Sequence, residues 1–185
     1  FYMCVDAPLG KYVPSSASRY ATDADAGYYV NQTGQSIQTA CAIGTYQSDT
    51  SQTSCDNADA GHYVDLGLGM GQSNQTACLA GTYNPNNGST SPTDCVVAGA
   101  GHYVDPDLGP GQSNQTACLA GTYNPNTGST ASTDCVNADA GHYVPSLGQS
   151  NQIAASAGYY VDQTGQINQT ACLAGTYNPN NGSTS

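Results

Sequence analysis

The stretch Cys78-Leu-Ala-Gly-Thr-Tyr-Asn-Pro-Asn-Asn-Gly-Ser-Thr-Ser-Pro-Thr-Asp-Cys95 contains the unit from which the whole chain is built. Two cysteines enclose a Gly-x-Tyr triplet, a loop with Pro, Asn and Gly, and a Ser/Thr-rich arm. Pro fixes φ in such a loop, and Asn and Gly accept positive φ. Because its apolar residues show no helical period, the stretch predicts two short extended arms joined by a turn.

The Gly-x-Tyr triplet recurs ten times along the chain, at intervals of 17 or 20 residues. The three-residue difference lies in the loop, where a surface turn tolerates insertions. We predict a small disulfide-rich, mainly β and irregular fold, in which residues 1–185 form one continuous array without a separate globular domain. The ten hairpin-like repeats would stack into an elongated rod, and a stacked β-solenoid is the alternative. The units begin near Gly10, Gly27, Gly44, Gly61, Gly81, Gly101, Gly121, Gly141, Gly158 and Gly175.

Each unit glycine is followed two residues later by a tyrosine. We expect these tyrosines to form a structural ladder, in which each ring packs against the next hairpin and takes the place of a core. The ladder consists of Tyr12, Tyr29, Tyr46, Tyr63, Tyr83, Tyr103, Tyr123, Tyr143, Tyr160 and Tyr177.

Large apolar residues are scarce, because Leu, Ile, Val and Phe together supply 23 of the 185 residues and Trp is absent. A chain with so little apolar area does not offset its backbone entropy through an ordinary core. This composition excludes a helical bundle or a Rossmann domain, and no apolar run approaches the roughly 20 residues of a membrane span. The formal net charge of −11, with Lys11 and Arg19 as the only Lys or Arg cations, excludes a basic nucleic-acid surface.

Eight regularly spaced cysteines predict a disulfide framework and an extracellular or cell-surface location. They lie either three or six residues before a unit glycine. The first pairing closes single hairpins through Cys41–Cys55, Cys78–Cys95 and Cys118–Cys135. The second consists of Cys55–Cys78, Cys95–Cys118, Cys4–Cys41 and Cys135–Cys172. We favour the first, because the last two bridges would skip a whole unit and bonded cysteines need Cα atoms within about 7 Å.

The first pairing leaves Cys4 and Cys172 without partners inside the chain. When Ser185 is written directly before Phe1, Cys172 precedes the next Cys4 by 17 residues, the spacing that separates Cys78 from Cys95. We therefore expect head-to-tail continuity, with Cys172 bonded to Cys4 of the next unit. The continuation is either a second copy of the chain or the next period of a longer polypeptide, and such a contact generates a filament.

Six N-glycosylation sequons accompany the repeat. A regular glycan coat would raise solubility and resist proteases, so we expect covalent N-glycans, with O-glycans on the Ser/Thr-rich arms. The sequons begin at Asn31, Asn74, Asn87, Asn114, Asn168 and Asn181.

Catalytic and metal-binding patterns are weak. His62, His102 and His142 share a position that elsewhere holds Thr, Tyr or Lys, which indicates a solvated or partly stacked side chain. The chain has no CxxC pair, no calcium loop and no Glu, so we expect no cofactor beyond diffuse divalent cations around the acidic surface. No nucleophile elbow, carboxylate pair or phosphate loop occurs, and we expect no enzyme activity.

The residues Cys78-Leu-Ala-Gly-Thr-Tyr, Gly88-Ser-Thr and Cys95 resemble the ephrin-receptor-like cysteine-rich repeat, which is similar to tumour-necrosis-factor-receptor modules. The resemblance implies an extracellular, elongated, disulfide-stapled rod. The family pattern usually has a further cysteine just before the next Gly-x-Tyr, where this chain has Ala60, Ala100 and Ala140. With fewer disulfides, more of the stability would come from tyrosine packing, glycans or lateral contacts.

These features together favour a structural protein: a subunit, or one period, of an extracellular glycosylated filament. The alternative is the stalk or ligand-binding ectodomain of a cell-surface adhesin or receptor, which a one-sided stripe of exposed tyrosines without glycans would favour. The expected partners are further copies head to tail, other filaments or surface glycans. Neither nucleic acid nor a membrane span in this segment is expected.

Overall fold

The computed structural model describes residues 3–185, which form two-residue strands, short 3-10 helices and irregular segments. Eighteen strands pair antiparallel, each with its neighbour along the chain, into nine hairpins that we number 1 to 9. This confirms the mainly β and irregular, disulfide-rich class, with nine closed hairpins instead of ten. Strands β1 to β18 are Lys11–Tyr12, Thr22–Asp23, Tyr28–Tyr29, Thr39–Ala40, Thr45–Tyr46, Asp56–Asn57, His62–Tyr63, Thr76–Ala77, Thr82–Tyr83, Val96–Val97, His102–Tyr103, Thr116–Ala117, Thr122–Tyr123, Val136–Asn137, His142–Tyr143, Ile153–Ala154, Tyr159–Tyr160 and Thr170–Ala171.

A tight turn precedes the first strand of every hairpin and has the unit glycine at its third position. In hairpin 4 the Asp59 carbonyl accepts a hydrogen bond from the His62 amide at 2.9 Å, and the intervening Gly61 has φ +86°. A positive φ at the third residue defines a type II turn, which strongly favours glycine. The same bond and the same sign of φ occur at all ten units, Gly175 included.

The loops between the two strands carry the short helices. The 3-10 helix Leu66–Leu68 is capped by the Asp65 carboxylate, which accepts from the Gly67 amide at 2.8 Å. The 3-10 helix Pro92–Asp94 has proline in its first turn, and the side chains of Ser91 and Asp94 form a capping box. The other two helices are Pro106–Leu108 and Ser132–Asp134.

The contacts divide the chain into two compact units. The first runs to Cys78 and also contains Asn84–Cys95, and the second contains Leu79–Tyr83 and Val96–Ser185. Hairpin 5 is shared, because its strands belong to the second unit and its loop to the first. All contacts described below lie within one of these two units.

The buried core is made of small side chains at two positions of the repeat. Three residues before the unit glycine stands Ala or Cys, and Ala58, Ala98 and Ala138 there are 0% exposed. Three residues after it stands Val, Asn or Gln, and Val64 and Val144 there are at most 2% exposed. The tyrosine ladder is only half-buried from Tyr12 to Tyr160, so these two positions, which the sequence argument missed, supply the core.

Asparagine is accepted in this core because its side chain is fully used. Asn84 is 0% exposed, and its Nδ2 atom donates to the carbonyl of His62 in the preceding hairpin at 3.1 Å. Its Oδ1 atom accepts from the Asn86 amide at 3.1 Å and so shapes the loop. A buried amide with partners for both polar atoms avoids the desolvation penalty of an unpaired group.

Consecutive hairpins are joined by backbone hydrogen bonds. Between hairpins 8 and 9, the amide of Gly141 donates to the Val161 carbonyl at 2.8 Å and the Val144 amide donates to the Gln166 carbonyl at 2.9 Å. In the opposite direction, the amide of Gly165 in the loop donates to the Ala138 carbonyl at 2.7 Å. We call this positive-φ loop residue the tip residue. The tips of successive units are Ala17, Gly34, Ser51, Gly71, Gly88, Gly111, Gly128, Gly148, Gly165 and Gly182.

The unit glycine also contacts the hairpin two places further along. A Cβ atom built on Gly101 would lie 2.1 Å from the carbonyl oxygen of the tip residue Gly148, and one on Gly121 would lie 2.3 Å from that of Gly165. Real Cβ atoms do not approach backbone oxygen so closely, so a side chain at the unit glycine would displace the tip. The same close approach to a tip carbonyl oxygen, at 2.1–2.4 Å, occurs at Gly10, Gly27, Gly81 and Gly141, whereas a Cβ atom on Gly44 would lie 2.7 Å from the Thr90 side chain.

We expect Gly101→Ala to destabilise the protein far more than Gly88→Ala. Both glycines have positive φ, which costs an L-residue about 1–2 kcal/mol. A Cβ atom at Gly88 would make only ordinary contact with the Asn57 side chain, at 3.9 Å, whereas the clash at Gly101 adds about 1–3 kcal/mol. Urea unfolding of the two variants measures the difference, and equal losses would contradict the packing described here.

Candidate functional site

Three disulfides close hairpins 3, 5 and 7. Each joins the core cysteine, three residues before the unit glycine, to the cysteine directly before the second strand of the same hairpin. The Cα–Cα distances of 5.6–5.7 Å are within the usual range for a disulfide. The structure thus brings cysteines together around single hairpins, as Cys41–Cys55, Cys78–Cys95 and Cys118–Cys135.

Five other hairpins are closed by a glutamine in place of the second cysteine. In hairpin 4 the Gln75 Oε1 atom accepts from the Asp59 amide at 2.7 Å, and its Nε2 atom donates to the Asp59 carboxylate at 2.7 Å. We call this contact the Gln clasp. Gln38, Gln75 and Gln152 make both bonds, whereas Gln115 and Gln169 make only the bond from the turn amide, because Gly99 and Ser156 stand in place of the aspartate.

The Gln clasp takes the place of a disulfide in these five hairpins. It joins the same two parts of the hairpin that a disulfide joins in hairpins 3, 5 and 7, namely the turn and the start of the second strand. A glutamine directly before the second strand, at the position of the second cysteine, is the sequence signal that identifies these hairpins.

We expect Gln75→Ala to lower the free energy of unfolding by about 1–2 kcal/mol, because it removes two hydrogen bonds, one of them to a carboxylate. Gln163→Ala is the matched control, since Gln163 is exposed and forms no clasp. Urea unfolding followed by circular dichroism gives both values. If the two variants lose the same stability, the clasp contributes nothing.

Hairpin closure fails at the tenth unit. Gly175 forms its type II turn, with the Leu173 carbonyl accepting from the Thr176 amide at 3.0 Å, but residues 176–177 have no partner strand within residues 3–185. Tyr177 is 88% exposed, whereas the other ladder tyrosines are half-buried. Cys172 forms no disulfide in this part of the chain and is half-buried, although its counterparts Cys41 and Cys118 are at most 1% exposed.

The opposite end presents an arm without a hairpin. Cys4 is exposed and forms no disulfide within residues 3–185, and the following Val5 is 87% exposed. Ala7 is nevertheless a core residue, 5% exposed, and its carbonyl accepts a hydrogen bond from the amide of the tip residue Gly34 at 2.9 Å. A cleft of about 580 Å³ lies between this arm and the loops that contain Ala17 and Gly34.

Asp23 links hairpin 1 to hairpin 3. Its Oδ1 atom accepts a hydrogen bond from Lys11 Nζ at 2.5 Å and a second one from the hydroxyl of the tip residue Ser51. These hydrogen bonds, that from Lys11 first, lower the pKa of the Asp23 carboxyl. Because the folded-state pKa lies below the unfolded one, the contribution to stability is present above the usual carboxyl pKa and is lost as the pH falls through the folded-state pKa.

Replacing Lys11 by Met should raise the pKa of Asp23, because the charged form loses its strongest partner. Carboxyl-detected NMR titration measures this directly. Arg19→Met is the control, since the Arg19 guanidinium lies over the Tyr20 ring at 5.5 Å and forms no ion pair with Asp23. An unchanged Asp23 titration in Lys11→Met would show that the ion pair does not form in solution.

The three histidines lie in first strands and are half-buried. The Nδ1 atoms of His62 and His102 lie 3.4 and 3.2 Å from the carbonyls of Ala60 and Ala100. Across residues 3–185, no group of three or more His, Cys, Asp or Glu side chains is placed to hold a metal ion. Nor does the described chain contain a helix that is long and apolar enough to cross a membrane.

All six sequon asparagines are exposed. Asn74, Asn114 and Asn168 lie just before a second strand, next to the clasp glutamine, whereas Asn31 lies in the loop of hairpin 2. Asn87 and Asn181 lie in loops that contact the preceding unit, where their Oδ1 atoms accept from the amides of Ala60 and Ala157 at 2.7 and 2.9 Å. The Nδ2 atom, which an N-glycan would modify, takes no part in these two bonds.

Burial raises the pKa of Tyr46, with Asp59 and Asp56 adding to the effect. These residues border a small polar cleft beside Asn87. The Tyr46 phenol therefore keeps its proton more firmly than a tyrosine in water.

Comparison with known proteins supplies no relative: no protein-family model matches the chain, and no curated protein matches it. The similarity to ephrin-receptor-like repeats therefore rests only on the residues quoted for it above.

Proposed function

We propose that this chain is a structural element of an extracellular filament, continued head to tail by a further copy of the same repeat array. The observation that carries the proposal is the incomplete tenth hairpin. Its turn and first arm are formed, and the missing second arm has the sequence of the exposed segment at the opposite end.

The two ends complement each other residue by residue. In hairpin 7, the strand Val136–Asn137 follows Cys135 and pairs with Thr122–Tyr123. The segment Cys4-Val5-Asp6 has the same pattern, so in a following copy it would pair with residues 176–177 of the preceding one. Tyr177 and Val5, both more than four-fifths exposed, would then leave water together.

The same register brings the two unbonded cysteines into the disulfide position. In hairpins 3, 5 and 7 the core cysteine is bonded to the cysteine directly before the second strand. Cys172 and Cys4 of the following copy would occupy these two positions. Their thiols would lose two protons and two electrons to an external oxidant, such as oxygen or oxidised glutathione, and form one S–S bond.

Extracellular placement and glycosylation belong to the same proposal. Disulfides persist in oxidising compartments, and the three in the structure favour secretion. The exposed sequons would distribute glycans along the filament. The net charge of −11 would keep neighbouring filaments from sticking side by side.

The test is mass analysis of the purified protein, first reduced and then exposed to an oxidised glutathione buffer. We expect a ladder of species at multiples of the 185-residue chain, collapsing on reduction, with Cys4 and Cys172 joined in peptide maps. Cys172→Ser should abolish the ladder, because the only thiol left outside the internal disulfides is then Cys4. The double variant Cys41→Ser/Cys55→Ser, which removes an internal disulfide, should leave it intact.

A product in which Cys4 and Cys172 stay reduced, or are bonded within one chain, would contradict head-to-tail continuation. The stalk or ectodomain of a surface adhesin or receptor would then become the better explanation of the repeat array.

A further inference from the structure

The unit glycines lose their burial at one end of the array. The first eight, from Gly10 to Gly141, are buried, whereas Gly158 is half-buried and Gly175 is exposed. A Cβ atom built on either of these last two would meet nothing within 4 Å. The reason is local: the tip that covers a unit glycine comes from two hairpins further along, and no such hairpin follows them within residues 3–185.

The tips show the reverse pattern at the other end. Ala17 and Gly34, the tips of hairpins 1 and 2, are exposed, whereas the later tips are half-buried. Ala17 has φ +62°, almost the same as φ +61° at Ser51. Ala17 therefore already has the backbone conformation of Ser51, a tip whose carbonyl lies against a unit glycine. Two unit glycines without a tip at one end thus match two tips that cover no unit glycine at the other.

We infer that Gly158 and Gly175 form a binding site for the tips of hairpins 1 and 2 of a further copy of this repeat array, supplied in the test below by a second copy of this chain. The Ala17 carbonyl would lie over Gly158, as that of Ser51 lies over Gly10, and the Gly34 carbonyl would lie over Gly175. The inference rests on the head-to-tail continuation proposed above. It adds that the junction is two hairpins deep and does not depend on the disulfide.

Internal equivalents predict the hydrogen bonds of this junction. The first bond involves the tip amide. Inside the chain, the Ser51 amide donates to the carbonyl of the core residue Ala24, so the Ala17 amide of the second copy would donate to the carbonyl of the core residue Cys172.

The other two bonds involve amides of the tenth unit. Inside the chain, the Gly141 amide donates to the Val161 carbonyl, so the Gly175 amide would donate to the Val13 carbonyl of the second copy. Likewise, the Val144 amide donates to the Gln166 carbonyl, so the Asn178 amide would donate to the Ser18 carbonyl of the second copy.

The cleft at the first end fits this occupant. Its walls include Val5, Asp6, Ala17 and Gly34, which are the residues that the junction would use. The strand-forming segment 176–177 of the preceding copy would enter beside Val5 and Asp6, and Asp6 already lies 3.2 Å from a Cβ position on Gly34. The contact between that second arm and the tip of hairpin 2 is therefore formed before association.

The test measures association without the disulfide. In a Cys4→Ser/Cys172→Ser background, sedimentation equilibrium should show concentration-dependent head-to-tail oligomers. Adding Gly158→Ala should weaken association at least about tenfold, because the new Cβ occupies the place of the Ala17 carbonyl. Gly88→Ala is the matched control, since Gly88 has positive φ, its Cβ atom would make only ordinary contact at 3.9 Å, and it lies outside the junction.

Hydrogen exchange supplies a second reading that does not depend on a glycine variant. In the same background, the amides of Ala17 and Gly175 should exchange much more slowly at high protein concentration than at low concentration. The exposed amide of Gln163, in the loop of hairpin 9, should exchange equally fast at both.

The outcomes separate the two proposals. If the wild-type chain forms the Cys4–Cys172 ladder but the serine background stays monomeric up to millimolar concentration, head-to-tail continuation stands and the tip-binding site is wrong. Equal association of Gly158→Ala and Gly88→Ala, or unprotected Ala17 and Gly175 amides in the oligomer, would also overturn it. Tenfold weakening confined to Gly158→Ala, with protection of both amides in its parent, would support it.

Discussion

The structure depends on one close approach: the carbonyl oxygen of a loop tip occupies the space where a side chain on the unit glycine would be. The turn needs glycine for its positive φ, and the packing needs glycine for its missing Cβ. The two demands fall on the same residue, which is why glycine occupies this position in all ten units. Within each compact unit, a hairpin is joined to the next one by backbone hydrogen bonds and contacts the one after it through the loop.

This arrangement replaces a conventional core. Few apolar residues are available, but small Ala or Cys and medium-sized Val, Asn or Gln at two repeating positions are almost completely buried between adjacent hairpins. Backbone groups that would be unpaired in an isolated two-residue hairpin find partners in the neighbouring loop. Disulfides in three hairpins and Gln clasps in five others then hold the turn against the second strand, so that a covalent closure is present at only some of the hairpins.

An array built on such contacts has no natural end. A hairpin covers the unit glycine and core residues of the hairpins before it, and its own are covered by the hairpins after it. The last two units within residues 3–185 are therefore incomplete in a defined way: Gly158 in the ninth unit, and Cys172, Gly175 and Tyr177 in the tenth, are more exposed than their counterparts. Repeat proteins commonly solve this problem with polar capping repeats. The first and last units of residues 3–185 have the standard repeat sequence, and a further copy of the repeat array is the proposed occupant of their open contacts.

The sequence by itself determined the period of the repeat, the turns at the unit glycines, the loop position of Pro and Asn, and the register of the cysteines, because all of these depend on contacts within one hairpin. Only the tertiary structure decided which residues form the core and how far the contacts reach. The repeating Ala or Cys before the glycine and Val or Asn after it carry little hydrophobic signal, since their burial comes from the neighbouring hairpin. A unit glycine contacts the hairpin two places further along, so the contact joins residues about 40 positions apart, such as Gly10 and Ser51. The period of the repeat is the same whether a hairpin contacts only its nearest neighbours or also the hairpin beyond them.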